Sequence, residues 1–190
     1  MVWFQLILKL IESIFNLKSI LFKLIPLLFL LIIIIVFSIS LNKNDNKDTL
    51  ISPLIGKKIP VNKIKLLNDK GYFNLNNYKR TFAVNFFASW CLPCKVEAPI
   101  IDRLSKKIPV FGIAFKDNNT DTIEFLETYG NPYNKIGIDT DGMIGIEWGV
   151  YGIPETFIIN KKGEIIYKFT GPLTIDELNK NIIRKIKNEK

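Results

Sequence analysis

No histidine occurs anywhere in the 190 residues. That absence excludes Ser–His and Cys–His catalysis, His-ligated haem and every His-containing zinc site. Cysteine and methionine are scarce, at two each. Cys91 and Cys94 stand three positions apart, and a structural zinc site takes about four ligands. This chain would have to complete one with carboxylates. A disulfide framework is excluded as well, because one bond across so short a loop removes little chain entropy. The pair is there for its chemistry or by accident. An arginine cluster interleaved with aromatics is also missing. The net charge of +8 comes mostly from lysines scattered among Ile and Asn, which is not the footprint of a nucleic-acid binder. What is present is apolar: 48% hydrophobic and 12% aromatic residues allow a sizeable core, and the length suits one domain plus an appendage.

Leu24–Leu41 carries no charge, and only Pro26, Ser38 and Ser40 interrupt its apolar run. As a helix it would reach roughly 27 Å, about the hydrocarbon thickness of a bilayer. Lys9, Lys18 and Lys23 outweigh Glu12 before it, whereas Asp45 and Asp48 balance Lys43 and Lys47 after it. The positive excess predicts a cytoplasmic N-terminus and an exported remainder. A cleaved signal peptide competes with this reading, but no A-x-A-like site follows the run, so a single uncleaved transmembrane anchor is expected. Within 1–23 the polar residues Gln5, Lys9, Glu12, Asn16, Ser19 and Lys23 recur every three or four positions. Such a stripe suits an interfacial amphipathic helix and equally an extension without function. Residues 42–49 read as a polar linker and 50–190 as one domain.

Along that domain Thr81–Phe87 reads as a buried strand and Pro93–Lys106 as a helix with Val96, Ile100, Ile101 and Leu104 apolar. Pro109–Phe115 is a second strand and Thr120–Tyr129 a second helix. Thr156–Asn160 and Glu164–Thr170 are strands joined by a turn at Lys161-Lys162-Gly163. Ile175–Lys187 is a last helix. The order βαβα then ββα predicts an α/β fold, a mixed β-sheet flanked by helices.

Trp90-Cys91-Leu92-Pro93-Cys94 sits where a strand ends and a helix begins, the setting of a thioredoxin-like redox motif. Unpaired N–H groups and the helix dipole at that N-terminus stabilise a thiolate. Pro93 falls in the first turn, where its missing N–H costs nothing. Cys91 is therefore the candidate nucleophile and Cys94, one turn in, the candidate resolving thiol, with a redox-active Cys91–Cys94 disulfide between them.

The chain from Leu54-Ile55-Gly56-Lys57 to the last helix resembles thioredoxin-like proteins. More narrowly it resembles the thiol:disulfide interchange proteins of bacterial cytochrome c maturation, the DsbE type. The stretches that carry the resemblance are Ala88–Cys94 and Gly149-Val150-Tyr151-Gly152-Ile153-Pro154-Glu155-Thr156-Phe157. Gly130-Asn131-Pro132-Tyr133 and Asp141-Gly142-Met143 resemble that family's extra segment between the two halves of the fold. The resemblance implies a cis-proline at Pro154, leaving a backbone edge free for an extended substrate, and an acidic surround for the thiols. Thioredoxin has a buried aspartate six residues before its first cysteine, where this chain has Asn85; Glu97 and Glu155 are the candidate acids in its place. A solvated surface position is the plain alternative for both.

The implied activity is protein-disulfide reduction without a cofactor. The domain would sit on the periplasmic side of a bacterial inner membrane and keep the CxxCH cysteines of apocytochrome c reduced for haem attachment. Its partners would be apocytochrome c or another maturation component, and a transmembrane thiol-reductase as electron donor. The chain is not itself a c-type cytochrome, since Lys95 rather than His follows Cys94. A general exported reductase or oxidase, and an apocytochrome-binding chaperone module, are the rival readings.

Overall fold

The computed structural model describes residues 24–39, 52–69 and 71–188. The chain divides into two units, residues 1–48 and 49–190. In the first, residues 24–39 form helix α1, whose apolar side chains are exposed throughout. Among the described residues no helix is long and apolar enough to cross a membrane. The expected anchor extends past the described part at Ser40 and Leu41. The segment 1–23 and the linker 42–49 also lie outside the described residues.

The second unit opens with a small antiparallel pair, β1 (Lys63–Lys65) and β2 (Tyr72–Asn74). Then follow β3 (Phe82–Phe87), α2 (Leu92–Ser105), β4 (Val110–Phe115), α3 (Asn119–Tyr129), β5 (Lys135–Asp139), α4 (Met143–Glu147), β6 (Glu155–Ile159) and β7 (Ile165–Thr170). A C-terminal helical segment runs from Ile175–Glu177 through a π turn at Leu178–Ile182 into Ile183–Asn188.

Five strands form one mixed sheet in the order β5-β4-β3-β6-β7. β4 pairs parallel with β3 and β5, while β6 pairs antiparallel with β3 and β7. Every side chain of central β3 is buried, which is why its sequence reads as an apolar run broken only at Asn85. Alternation along a strand sends successive side chains to opposite faces. Phe82, Val84 and Phe86 join Phe157 and Trp148 on one face. Ala83 and Phe87 face the other way, into the layers that include Ile101 and Leu104 of α2 and Phe125 of α3. Asn85 shares that second face.

Four elements escape the sequence reading: β1, β2, β5 and α4. The observed order, counted from β3, is βαβαβαββα rather than βαβαββα. β5 lies at the sheet edge and contains Gly137, which weakens a strand pattern. The glycine is there for close approach: a Cβ on it would come within 2.2 Å of Ile64 Cγ2, where the end of β1 bridges Gly137 through Leu66.

Candidate active site

β3 delivers the chain to Ala88-Ser89-Trp90, and the next residue caps α2. Cys91 is the N-cap in an extended conformation, and its Sγ accepts the backbone N–H of Cys94 at 3.2 Å. Pro93 is in the first turn, where no intrahelical donor is lost. Cys91 and Cys94 are joined as a disulfide with Cα atoms 5.3 Å apart. Their relative exposures are 3% and 2%, so accessibility does not rank the two sulfurs. Among the residues near them in the chain or the cis-proline segment, Trp90, Leu92 and Tyr151 are exposed.

The Ile153–Pro154 peptide bond is cis, and the Ile153 carbonyl oxygen lies 3.7 Å from Cys91 Sγ. The active-site turn is braced from the end of β4. Asp117 accepts from Ser89 N at 2.7 Å and from Ser89 Oγ at 2.9 Å, and Trp90 Nε1 donates to the Lys116 carbonyl at 3.1 Å. The exposed indole is thereby held at its polar edge.

Beneath the cysteines, on the α2 face of the sheet, lies a closed polar network. Asn85 Nδ2 donates to Glu97 Oε1 at 2.9 Å and to Thr156 Oγ1 at 3.1 Å, while Asn85 Oδ1 accepts from the Tyr133 hydroxyl at 2.7 Å. The second oxygen of Glu97 accepts from Leu173 N at 2.8 Å. Glu97 is 1% exposed, which places it off the solvated face of its helix. Burial raises its pKa to about 7 from an ordinary 4.5, against the lowering effect of the bonds from Leu173 and Asn85. Burial, and then the Glu97 charge, push the Tyr133 hydroxyl well above its usual value.

Glu155 lies on the other face. Alternation along β6 turns it away from Thr156, toward Lys168 of β7, whose Nζ is 2.9 Å from Glu155 Oε2. The same ammonium donates to the Gly149 carbonyl at 2.7 Å and lies 4.4 Å from the centre of the Tyr151 ring. Thr170 Oγ1 donates to the other carboxylate oxygen at 3.3 Å. Burial raises the Glu155 pKa, and Lys168 is first among the groups that oppose it. The two carboxylates therefore flank the sheet from opposite sides. They do not form a pair.

Sequence reasoning missed Tyr133, Thr156 and Lys168. A signal existed for the last two, since each is a polar residue inside a run of strand-forming apolar ones. Tyr133 stood in the Gly130–Tyr133 stretch of the resemblance, which gave no sign of its contact with Asn85. No group of three or more acidic or cysteine side chains able to hold a metal occurs among the described residues.

The redoxin family model matches residues 54–182. The chain belongs to the redoxin family. Within it, the chain is 38% identical over 168 residues to the thiol:disulfide interchange protein DsbE of Tatumella citrea, covering 84% of this chain and 89% of that one. To the thiol:disulfide interchange protein CycY of Rhizobium leguminosarum it is 44% identical over 102 residues, or 53% and 55% of the two chains. Among solved structures it resembles a secreted Mycobacterium tuberculosis disulfide oxidoreductase. The TM-score is 0.57 at 20% identity, covering 64% of this chain and 94% of that one. That likeness establishes the thioredoxin-like fold. This redoxin is a thiol–disulfide oxidoreductase.

Proposed function

We propose that the protein is a membrane-attached, extracytoplasmic reductant that keeps the CxxCH cysteines of apocytochrome c in the dithiol form. The observation that carries the chemistry is the position of Cys91, an N-cap whose sulfur receives the Cys94 N–H beside the Ile153 carbonyl. In the reduced protein the Cys91 thiolate attacks one sulfur of a client disulfide. A mixed disulfide forms, and the other client sulfur leaves as a thiolate that takes up a proton. Cys94 then loses its proton and attacks Cys91 Sγ, releasing the second client thiol and closing Cys91–Cys94. Two electrons pass to the client, and a transmembrane thiol-reductase returns them.

Glu97, one helical turn beyond Cys94, titrates near neutrality. It is the group we assign to exchanging the Cys94 proton, with Glu155 and Lys168 holding the segment before β6. The backbone at Ile153-Pro154 offers an edge to an extended client. Attachment through residues 24–41, with the N-terminus cytoplasmic and the domain periplasmic, is supported by the lysine imbalance across that run and by the exposed apolar surface of α1.

Cys94→Ser should trap clients on Cys91 as mixed disulfides. The trapped species should include an apocytochrome c or another maturation component, or the reductase that recharges the protein. Deletion should lower holocytochrome c and leave general disulfide formation intact, with partial rescue by a small added thiol. Normal holocytochrome c alongside exported proteins that fail to oxidise would overturn this reading in favour of an oxidase.

A further inference from the structure

The end of the sheet away from Cys91 carries a feature that the thiol chemistry does not use. The registers Phe82↔Ile159 and Ala83↔Val110 bring together the segments before β3, before β4 and after β6. These supply Lys79, Arg80, Lys107 and Lys161, and the C-terminal helical segment adds Lys187, as the rim of a groove of about 710 Å³. Its floor is aliphatic, formed by Ile108, Pro109, Ile183 and Ile186, and no acidic residue lines it among the described residues. None of the five cations is ion-paired with another described residue. A second, smaller groove continues the first through Lys107 and Ile183 and adds Arg103 and Lys106, the latter paired with Asp102.

The other end of the sheet is mixed in charge. Asp117, Asp139 and Glu155 are buried there, Glu155 against Lys168. In the cleft beside Trp90, Lys95 stands with Asp121 and Glu124. Scattered surface lysines need no explanation, but cations gathered at one end around an open aliphatic floor do. A phosphodiester partner that stacks its bases would find no aromatic side chain there. An anionic bilayer presents what the groove lacks: phosphates for the rim and acyl carbons for the floor. Lysine stems can lie along that floor while their ammonium groups reach outward.

We propose that this basic end is a docking surface for anionic phospholipid, with the rim on headgroup phosphates and the aliphatic floor against the upper acyl carbons. The proposal rests on the membrane-attached reading for the nearness of the bilayer, and extends it to the way the domain is presented. With the basic end engaged, the opposite end and its Cys91–Cys94 bond stay open to clients.

The full chain should be compared by hydrogen exchange in nanodiscs of phosphatidylcholine alone and of an equal mixture with phosphatidylglycerol. Amides within 79–81, 107–108 and 183–187 should slow by on the order of tenfold on the anionic discs only, and high salt should reverse the effect. Replacing Lys79, Arg80, Lys107 and Lys187 together by Gln should abolish that protection while exchange with a small soluble disulfide stays at the parent rate. Equal protection on both lipids, or protection confined to 89–96, would overturn the proposal. Protection by polyglutamate with none on anionic discs would overturn it in favour of an acidic protein partner. Retention on the neutral discs reads the anchor by itself. A chain that leaves neutral discs yet is protected on anionic ones would refute the anchor and keep the groove.

Discussion

Asn85 Nδ2 donates to Glu97 Oε1 across 2.9 Å, from the middle of the central strand to the second turn of the helix that Cys91 begins. Thr156 takes the second bond from that nitrogen and Tyr133 donates to Oδ1, and the ionised carboxylate, which only accepts, sets the amide orientation. Its NH₂ must face the carboxylate. A neutral donor thus stands over a buried acid, and burial raises the Glu97 pKa to about 7 even though the bonds from Leu173 and Asn85 oppose it.

Glu97 should make the oxidised protein less stable as pH rises. Its folded pKa of about 7 lies above the ordinary 4.5, so between those values the native state holds more protons than the unfolded one. The contribution is fully present below about pH 4.5 and is lost as pH rises through about 7, a change of up to roughly 3 kcal/mol. Glu97→Gln should flatten this part of the profile in urea titrations of the disulfide form, where neither cysteine titrates. An unchanged slope would mean that the carboxyl does not titrate in this window.

Asn85→Asp tests the same contact from the other side. It replaces two donated hydrogen bonds by a second buried carboxyl against Glu97, so the pair cannot both ionise without repulsion. A loss of about 3 kcal/mol or more is expected at neutral pH, shrinking toward about pH 4 as both groups protonate. A loss of the same size at both pH values would show that water reaches the pair and screens it.

How much of this was legible in the sequence depends on where the constraint lies. The Cys91–Cys94 turn, β3, α2, β4, α3 and the β6–β7 pair each carry a local pattern, and the sheet they imply is present. β5 was illegible because the need for Gly137 comes from Ile64, more than seventy positions away, and not from its own neighbours. Asn85 and Glu97 were visible as odd residues, but only the register of β3 with β6 and the reach of Leu173 N show what each touches. Residues 1–23 and 42–49 lie outside the described residues.

Lys168 and Glu155 should be strongly coupled. Lys168 Nζ lies 2.9 Å from Glu155 Oε2, and both side chains are buried. Lys168→Met strands a buried carboxylate and should cost about 3–5 kcal/mol, whereas Lys168→Met with Glu155→Gln should recover much of that. A double-mutant cycle reads the difference. Coupling within about 0.5 kcal/mol, the scatter of independent sites, would show that Glu155 finds solvent or another partner once Lys168 is gone.

The order of reaction of the two thiols gives the most direct test of their roles. Residue burial does not rank the two cysteines in the disulfide form, and charge stabilisation is what separates them. Cys91 has the Cys94 N–H at 3.2 Å and the first turn of α2 behind it. Cys94 lies inside that turn, where its own N–H is already used. Helix N-termini favour anions and depress thiol pKa values. Reduced protein treated briefly with iodoacetamide at about pH 6 should therefore carry the label on Cys91, in excess over Cys94 by roughly tenfold or more. The rate at Cys91 should follow a titration centred below the ordinary thiol value of about 8.5. Peptide mapping of the labelled chain locates the adduct, and the Cys94→Ser variant shows whether Cys91 keeps its rate alone. Equal labelling of the two cysteines would remove the helix N-terminus as the source of reactivity. Labelling of Cys94 first would exchange the nucleophilic and resolving roles.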